Sequence, residues 1–216
     1  MKTYKNLVWD WNGTLLNDIT AGVDTLNDML EKRGLQKLSV EEYKDVFGFP
    51  VVDFYRKVGF DMEKESLHKI SVDFVETYDR FAGGIALNPS IPEVLRGIQQ
   101  TGRKQYILSA LREDLLKQMV EDFHIGGYFE QVCGSDNIYA AGKIERGKKM
   151  VEACGLCPEE TLMVGDTLHD AEVAHALGFG CVLYAGGHNS VRRLREKAPV
   201  IERMEELLKR EDLNLN

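Results

Sequence analysis

The chain is short of cysteine, short of proline and short of positive charge, and each shortage excludes something. Four cysteines (Cys133, Cys154, Cys157 and Cys181) are too few and too scattered for a disulfide framework. Five prolines and 20 glycines fall far below a collagen-like or low-complexity composition, and 44% hydrophobic with 29% charged residues is an ordinary globular mixture. Lysine and arginine number 27 against 35 aspartates and glutamates, a net charge of −8. Nucleic acid is bound by releasing counterions to a basic surface, so neither a nucleic-acid backbone nor an anionic membrane is the expected partner. No apolar run approaches the ~18–20 residues that cross a bilayer. The start, Met1-Lys2-Thr3-Tyr4-Lys5, runs into a short apolar stretch ending at Asp10, which is not a signal-peptide pattern. The length of 216 residues suits one domain, or a core with one small insertion.

Cys154 and Cys157 form a C-x-x-C. A redox pair would open a helix after a strand, whereas Cys154-Gly155-Leu156-Cys157-Pro158 closes a helical pattern, with Gly155 as the terminating residue. A zinc site would need a second pair of ligands at matching spacing. The reading is reduced thiols near a helix end, and with it a cytoplasmic location.

Short β-type runs alternate with amphipathic helices, the pattern of an α/β fold with a mainly parallel sheet. Leu7–Trp9, Tyr106–Leu108, Thr161–Val164 and Cys181–Tyr184 read as buried strands, with edge strands at Gln131–Cys133 and Val200–Ile201. Helices are expected over Pro92–Thr101, Arg112–Phe123, Glu145–Cys154 and Asp170–Leu177. One stretch, from Asn17 to Gly84, carries helical patterns and no convincing strand. Ile19, Val23, Leu26 and Leu30 mark one helix face, Ser39-Val40-Glu41-Glu42 reads as a capping box, and Val51–Val58 and Glu63–Phe81 suggest two more helices. Residues 17–84 are therefore expected to form a helical domain inserted into a core made of residues 1–16 and 85–216, with Gly83-Gly84 as the hinge. The charged tail after Glu205 is expected to end as a frayed helix.

Polar residues interrupt the apolar strands at one end. The first strand ends in Asp10-Trp11-Asn12-Gly13-Thr14, the second in Ser109, and the third in Gly165-Asp166-Thr167-Leu168-His169-Asp170. In open α/β sheets ligands sit outside the carboxyl ends of the strands, so these interruptions can converge. Their types fit a ligand site: two or three carboxylates, a hydroxyl, and glycines that permit close backbone approach. Taken singly, Asp10 could be a turn residue, Ser109 or Asp170 a helix N-cap, and Thr14 a turn-stabilising hydroxyl. His169 and His188 lie in loops where a histidine is more often a surface or supporting residue than a catalyst.

Asp10-Trp11-Asn12-Gly13-Thr14-Leu15, Ser109, Lys143 and Gly165-Asp166-x-x-x-Asp170 resemble the four motifs of the haloacid-dehalogenase-like hydrolase superfamily. The helical insertion is similar to the cap of its phosphoglycolate-phosphatase-like branch. The resemblance covers nearly the whole chain. It implies a Rossmann-like core with a helical cap, and Mg²⁺-dependent hydrolysis of a small phosphate ester through an aspartyl-phosphate. Asp10 would be the nucleophile, Asp10, Asp166, Asp170 and the main-chain carbonyl of Asn12 the metal site, and Lys143 the site lysine. Thr14, Ser109 and Ala110 would bind the phosphate. Phe47-Gly48-Phe49-Pro50 reads either as a cap loop facing the core, with Phe49 toward the substrate, or as a buried helix-end turn. The chain would act as a monomer or homodimer.

Electrostatics supplies a reason for such a set. A carboxylate approaching a phosphate dianion meets ~4 kcal/mol of repulsion per unit charge pair at ~4 Å and an effective dielectric near 20. Each ~1.4 kcal/mol is tenfold in rate, so metal and lysine charges are needed to make attack feasible. The superfamily usually has Lys-Pro before the helix preceding the last motif. Here Gly142-Lys143-Ile144-Glu145-Arg146-Gly147-Lys148-Lys149 has no proline; Lys143 is favoured, with Lys148 and Lys149 inside the helical pattern.

One position departs from the family. Phosphatases of this superfamily carry an aspartate two residues after the nucleophile, which protonates the leaving oxygen and then activates water. This chain has Asn12, and an amide neither gains nor loses a proton near neutral pH. Another group (Asp18, His169 or a metal-bound water) would supply the proton, or substrates would have good leaving groups, or turnover would be slow and the protein a phosphate-binding or phospho-accepting regulator. Dehalogenases and phosphonatases of the superfamily also lack this aspartate, but the cap offers no lysine that can be assigned as a Schiff-base former.

Overall fold

A parallel strand covered on both faces reads as an unbroken apolar run. Leu7-Val8-Trp9 and Leu162-Met163-Val164 are such runs, and none of their six side chains is more than 1% exposed. The computed structural model describes residues 3–139 and 142–210. In it β1 (Asn6–Trp9) and β2 (Leu16–Asn17) precede four helices, α1 (Ile19–Lys32), α2 (Val40–Val46), α3 (Val51–Lys57) and α4 (Leu67–Phe81). After β3 (Ala86–Leu87) helices and strands alternate: α5 (Ile91–Gln100), β4 (Lys104–Arg112), α6 (Glu113–Asp122), β5 (Gln131–Ser135) and α7 (Lys143–Cys154). Then come β6 (Thr161–Gly165), α8 (Leu168–Leu177), β7 (Gly180–Tyr184), a short α9 (Val191–Leu194) and β8 (Val200–Ile201).

Six strands form one parallel sheet in the order β5-β4-β1-β6-β7-β8, an α/β Rossmann-like core. Side chains alternate across it. Leu7, Trp9, Ile107, Leu162 and Val164 face a cluster closed by Ile91, Val94, Leu95 and Ile98 of α5. Val8, Tyr106, Leu108 and Met163 face the other way, onto Met150 of α7 and Val173, Ala174 and Leu177 of α8. Register puts Trp9 of β1 beside Ile107 of β4 and Val164 of β6. The chain therefore leaves β1 and β6 at one edge, carrying Asp10 and Asp166 there, with Ser109 two residues beyond Ile107.

Residues 19–81 pack around a separate cluster that includes Leu26, Met29, Leu30, Tyr43, Phe54 and Ile70. Arg33 clamps this block from outside: it donates to Glu65 at 2.6 Å and Asp73 at 2.8 Å and lies 4.8 Å from the Phe60 ring. The capping box expected at Ser39 forms, with Ser39 and Glu42 exchanging side-chain to main-chain bonds.

Several local expectations are revised. β2 and β3 pair antiparallel, Leu16 with Leu87, and so bracket the helical block with a ribbon that two-residue strands do not announce in sequence. β4 continues through Ser109 to Arg112 rather than stopping at Leu108, its register with β5 shifting between Leu108 and Arg112. α4 starts at Leu67, not Glu63, because Ser66 caps it by accepting from the Lys69 N–H. α8 starts earlier than Asp170: Thr167 is the N-cap and Asp170 its reciprocal partner in a capping box. The tail forms a 3₁₀ segment, Met204–Lys209, that buries Met204 and Leu207 in the core instead of fraying; residues 211–216 lie outside the described residues. The four cysteines are free thiols, and Gly155 ends α7 in the left-handed conformation.

Candidate active site

Two turns hold the acidic groups. Asp10 follows β1, and its N–H donates to the Val164 carbonyl of β6 at 2.9 Å, tying the two strand ends together. Gly13 has φ 76°, and a Cβ on it would overlap the Asp166 carboxylate, so the turn closes over Asp166 only with glycine there. Asn88 pins the same turn from behind, its amide donating to the Thr14 carbonyl at 2.7 Å and the Gly13 carbonyl at 3.2 Å. Sequence reading missed Asn88; a polar residue between Leu87 and Pro89 was its only signal.

Carboxylate oxygens of Asp10, Asp166 and Asp170 lie within 4.8 Å of one another, all buried. Lys143, the first residue of α7, donates to Asp10 and, at 2.6 Å, to Asp170. Asp170 turns its other oxygen to the N–H of Asp166 at 3.1 Å and to the N–H and hydroxyl of Thr167 at 2.9 and 2.7 Å. The Thr14 hydroxyl, expected against the substrate, donates instead to Asp166 at 2.7 Å, and the His188 N–H reaches the second Asp166 oxygen at 2.6 Å. Lys148, by contrast, is exposed and pairs with Glu145.

Charge is unbalanced in this cluster: one lysine faces three carboxylates. Burial, reinforced by its acidic neighbours, pushes the Asp10 carboxyl well above the usual carboxylate range despite Lys143. Burial first, and then Asp170, push Asp166 up to about 6, against the pull of His188. Burial also works against Asp170, yet Lys143 and Thr167 hold its carboxyl low. Lys143 stays charged because Asp10 and Asp170 outweigh its desolvation. Three hard oxygen donors with two formal negative charges to spare suit a divalent cation such as Mg²⁺.

Ser109 is buried at the same edge within β4; its hydroxyl accepts from the Leu111 N–H at 3.0 Å and its carbonyl from Arg146 at 3.2 Å. Ala110 follows it in the strand, half-buried. Asn12 has its amide turned to Asp18, donating at 2.7 Å. Asp18 collects further donors: the Gly13 N–H at 2.8 Å, the Tyr78 hydroxyl at 3.0 Å and His188 Nε2 at 3.2 Å. His188 is not a surface residue; it is buried, with Tyr43 Oη 2.9 Å from its Nδ1.

The Phe47-Gly48-Phe49-Pro50 segment between α2 and α3 meets the loops that carry these groups. The Phe49 ring stacks on His169 at 4.7 Å and the Phe47 ring lies 5.2 Å from His188. Arg193 donates to the Lys44 and Phe47 carbonyls at 3.0 and 2.7 Å, and Asn189 to Phe47 at 3.0 Å, so the core satisfies carbonyls that the end of α2 leaves open.

An open parallel sheet, a carboxylate after its central strand and a lysine-bridged acidic cluster at the same edge define a class. The haloacid dehalogenase-like hydrolase family model matches residues 7–184. The chain belongs to that family. It is 24% identical over 214 residues to phosphoglycolate phosphatase 1 of Pseudomonas aeruginosa, covering 94% of this chain and 78% of the relative. A 5'-nucleotidase of the same organism is 24% identical, over 91% of this chain and 89% of its own length. Among solved structures, a predicted phosphatase from Clostridium acetobutylicum superposes with a TM-score of 0.78 at 19% identity, covering 96% of this chain and 97% of that one.

Proposed function

We propose that the chain is a Mg²⁺-dependent phosphatase that moves the phosphoryl group of a small phosphomonoester first to Asp10 and then to water. Residues 1–16 and 85–216 are the catalytic core, and residues 17–84 a cap that covers the site and selects the substrate. The observation that carries this reading is the buried contact of Lys143 with both Asp10 and Asp170 beside Asp166. Two relatives act on phosphate esters by name, phosphoglycolate and nucleotides, which supports a small phosphorylated metabolite as substrate.

Mg²⁺ held by Asp10, Asp166, Asp170 and the carbonyl of Asn12 would supply positive charge against the transferred group. Everything else falls to the chain. An Asp10 oxygen attacks phosphorus, and Lys143 holds that carboxylate in place while offsetting the incoming negative charge. Asp170 fixes the lysine. Thr14 and the His188 N–H fix Asp166. The Ser109 hydroxyl, whose oxygen accepts from Leu111, has its proton left to donate to a phosphate oxygen, beside the Ala110 N–H.

Asp10→Asn should abolish phosphate release, and Asp166→Asn should cut it severely and weaken its Mg²⁺ dependence. Trapping with beryllium fluoride should put the fluoride on Asp10. Near-wild-type release by Asp10→Asn would sink the mechanism. A second reading, a slow enzyme whose persistent phospho-aspartate is itself the signal, is favoured by Asn12, whose side chain is spent on Asp18. The lifetime of the phosphoenzyme separates the two.

A further inference from the structure

Accepting the phosphatase reading, the structure speaks to which esters the site can cleave. Breaking a phosphate ester of an ordinary alcohol leaves an alkoxide unless a proton arrives with the departing oxygen, and general acid help of this kind is worth ~10²–10⁴-fold. Asn12 cannot give that proton, and its amide is already donated to Asp18. Asp18 accepts from the Gly13 N–H and the Tyr78 hydroxyl besides Asn12, so both of its oxygens are engaged as acceptors. Both ring nitrogens of His188 are committed, one to Tyr43 and one to Asp18. His169 lies flat against Phe49, with Nδ1 3.2 Å from Glu172. Asn12, Asp18 and His188 are thus held by protein partners, which leaves His169 Nε2 as the rival donor that the test must exclude.

The cap side of the site is aromatic. Phe47 and Phe49 are both half-buried and lie against the two histidines that flank the acidic loops. Rings placed this way favour a planar group by offset or edge stacking, worth ~0.5–1.5 kcal/mol beyond its area.

We infer that the substrates are aryl phosphates, esters whose oxygen leaves as a stabilised anion without protonation and whose ring packs against Phe49. The atoms balance without an acid. As the Asp10 oxygen bonds to phosphorus, the P–O(aryl) bond breaks and the aryl oxygen keeps the electron pair as a phenolate, which takes its proton from solvent. Water then bonds to phosphorus and the P–O(Asp10) bond breaks. Asp10 is restored as a carboxylate, and the water's proton passes to the released phosphate and solvent. The phenol and inorganic phosphate are the products, and one water is consumed.

The test is kcat/KM, which reports steps up to leaving-group departure, measured with Mg²⁺ for 4-nitrophenyl phosphate, phenyl phosphate, ethyl phosphate and phosphoglycolate. The wild type should fall steeply along the series, with the alkyl esters at least ~100-fold below the nitrophenyl ester. Asn12→Asp should raise the alkyl esters ~10²–10⁴-fold while moving the nitrophenyl ester only a few-fold. Phe49→Ala should raise KM for the aryl esters by a larger factor than for the alkyl esters. A flat wild-type series overturns the inference, and a His169→Ala variant that turns steep would then name the proton donor. An unchanged aryl-to-alkyl ratio in Phe49→Ala overturns the stacking part. These failures differ from failure of the phosphatase reading, in which no ester is cleaved or Asp10→Asn remains active.

Discussion

At the scale of single residues the site is a problem of charge held out of water. Asp10, Asp166, Asp170 and Lys143 are all buried, so no solvent screens their interactions. Removing one partner of such a pair leaves an uncompensated buried charge and typically costs ~3–5 kcal/mol. Lys143→Met should therefore lower stability in urea by about that amount and abolish activity. Lys148→Met removes a solvent-exposed partner of Glu145 and should leave both the urea midpoint and the activity unchanged. Equal effects of the two substitutions would refute the assignment of the site lysine. The three aspartates were readable because each follows a strand or opens a helix, where the topology of a parallel sheet dictates the edge. Thr14 was read against the substrate because no sequence pattern says which way a hydroxyl turns; its donation to Asp166 depends on a turn closed by Gly13 and pinned by Asn88, seventy-odd residues away.

Elements were legible where burial is strongly periodic. β1, β6 and β7 announce themselves as apolar runs, and α1 as a stripe, since each has one environment along its length. β2 and β3 could not be read: two residues carry no period, and their pairing is fixed by the chain returning from the helical block. The start of α8 was misplaced because Thr167 and Asp170 are both good caps, and only the fold shows that Asp170 serves as the third-position partner. Phe47–Pro50 was expected to face the core, but the main-chain bonds that attach the end of α2 there could not be read. That attachment runs through Ser190 N–H to the Lys44 carbonyl at 3.1 Å and through Arg193 to the Lys44 and Phe47 carbonyls. Arg193→Met should release the end of α2: amide exchange over residues 43–47 should quicken at least several-fold while β1 and β6 amides keep their protection. Uniform quickening would mean that the arginine stabilises the whole molecule rather than this contact.

At the scale of the molecule, folding gathers three carboxylates around one lysine in a chain whose net charge is already −8. The native state is self-repelling at that point, and the unfolded chain, with the same groups dispersed in water, is not. A cation bound only by the folded form adds RT ln(1 + [L]/Kd), ~2.7 kcal/mol at a hundredfold excess over Kd. For a chain of this size ~1 kcal/mol moves the melting temperature by ~2–4 °C, so saturating Mg²⁺ should raise Tm by roughly 5–11 °C over EDTA. Asp166→Asn removes one of the repelling charges and one of the three donors. Without metal it should melt at or above the wild type, and on adding Mg²⁺ it should gain much less. NaCl at matched ionic strength controls for general screening, which acts on exposed charges and should affect both proteins alike. Differential scanning fluorimetry of the two proteins in the three buffers decides the matter. If Mg²⁺ leaves the wild type where NaCl does, or shifts both proteins equally, the acidic cluster is not the metal site, and the charge excess must be carried by protons instead.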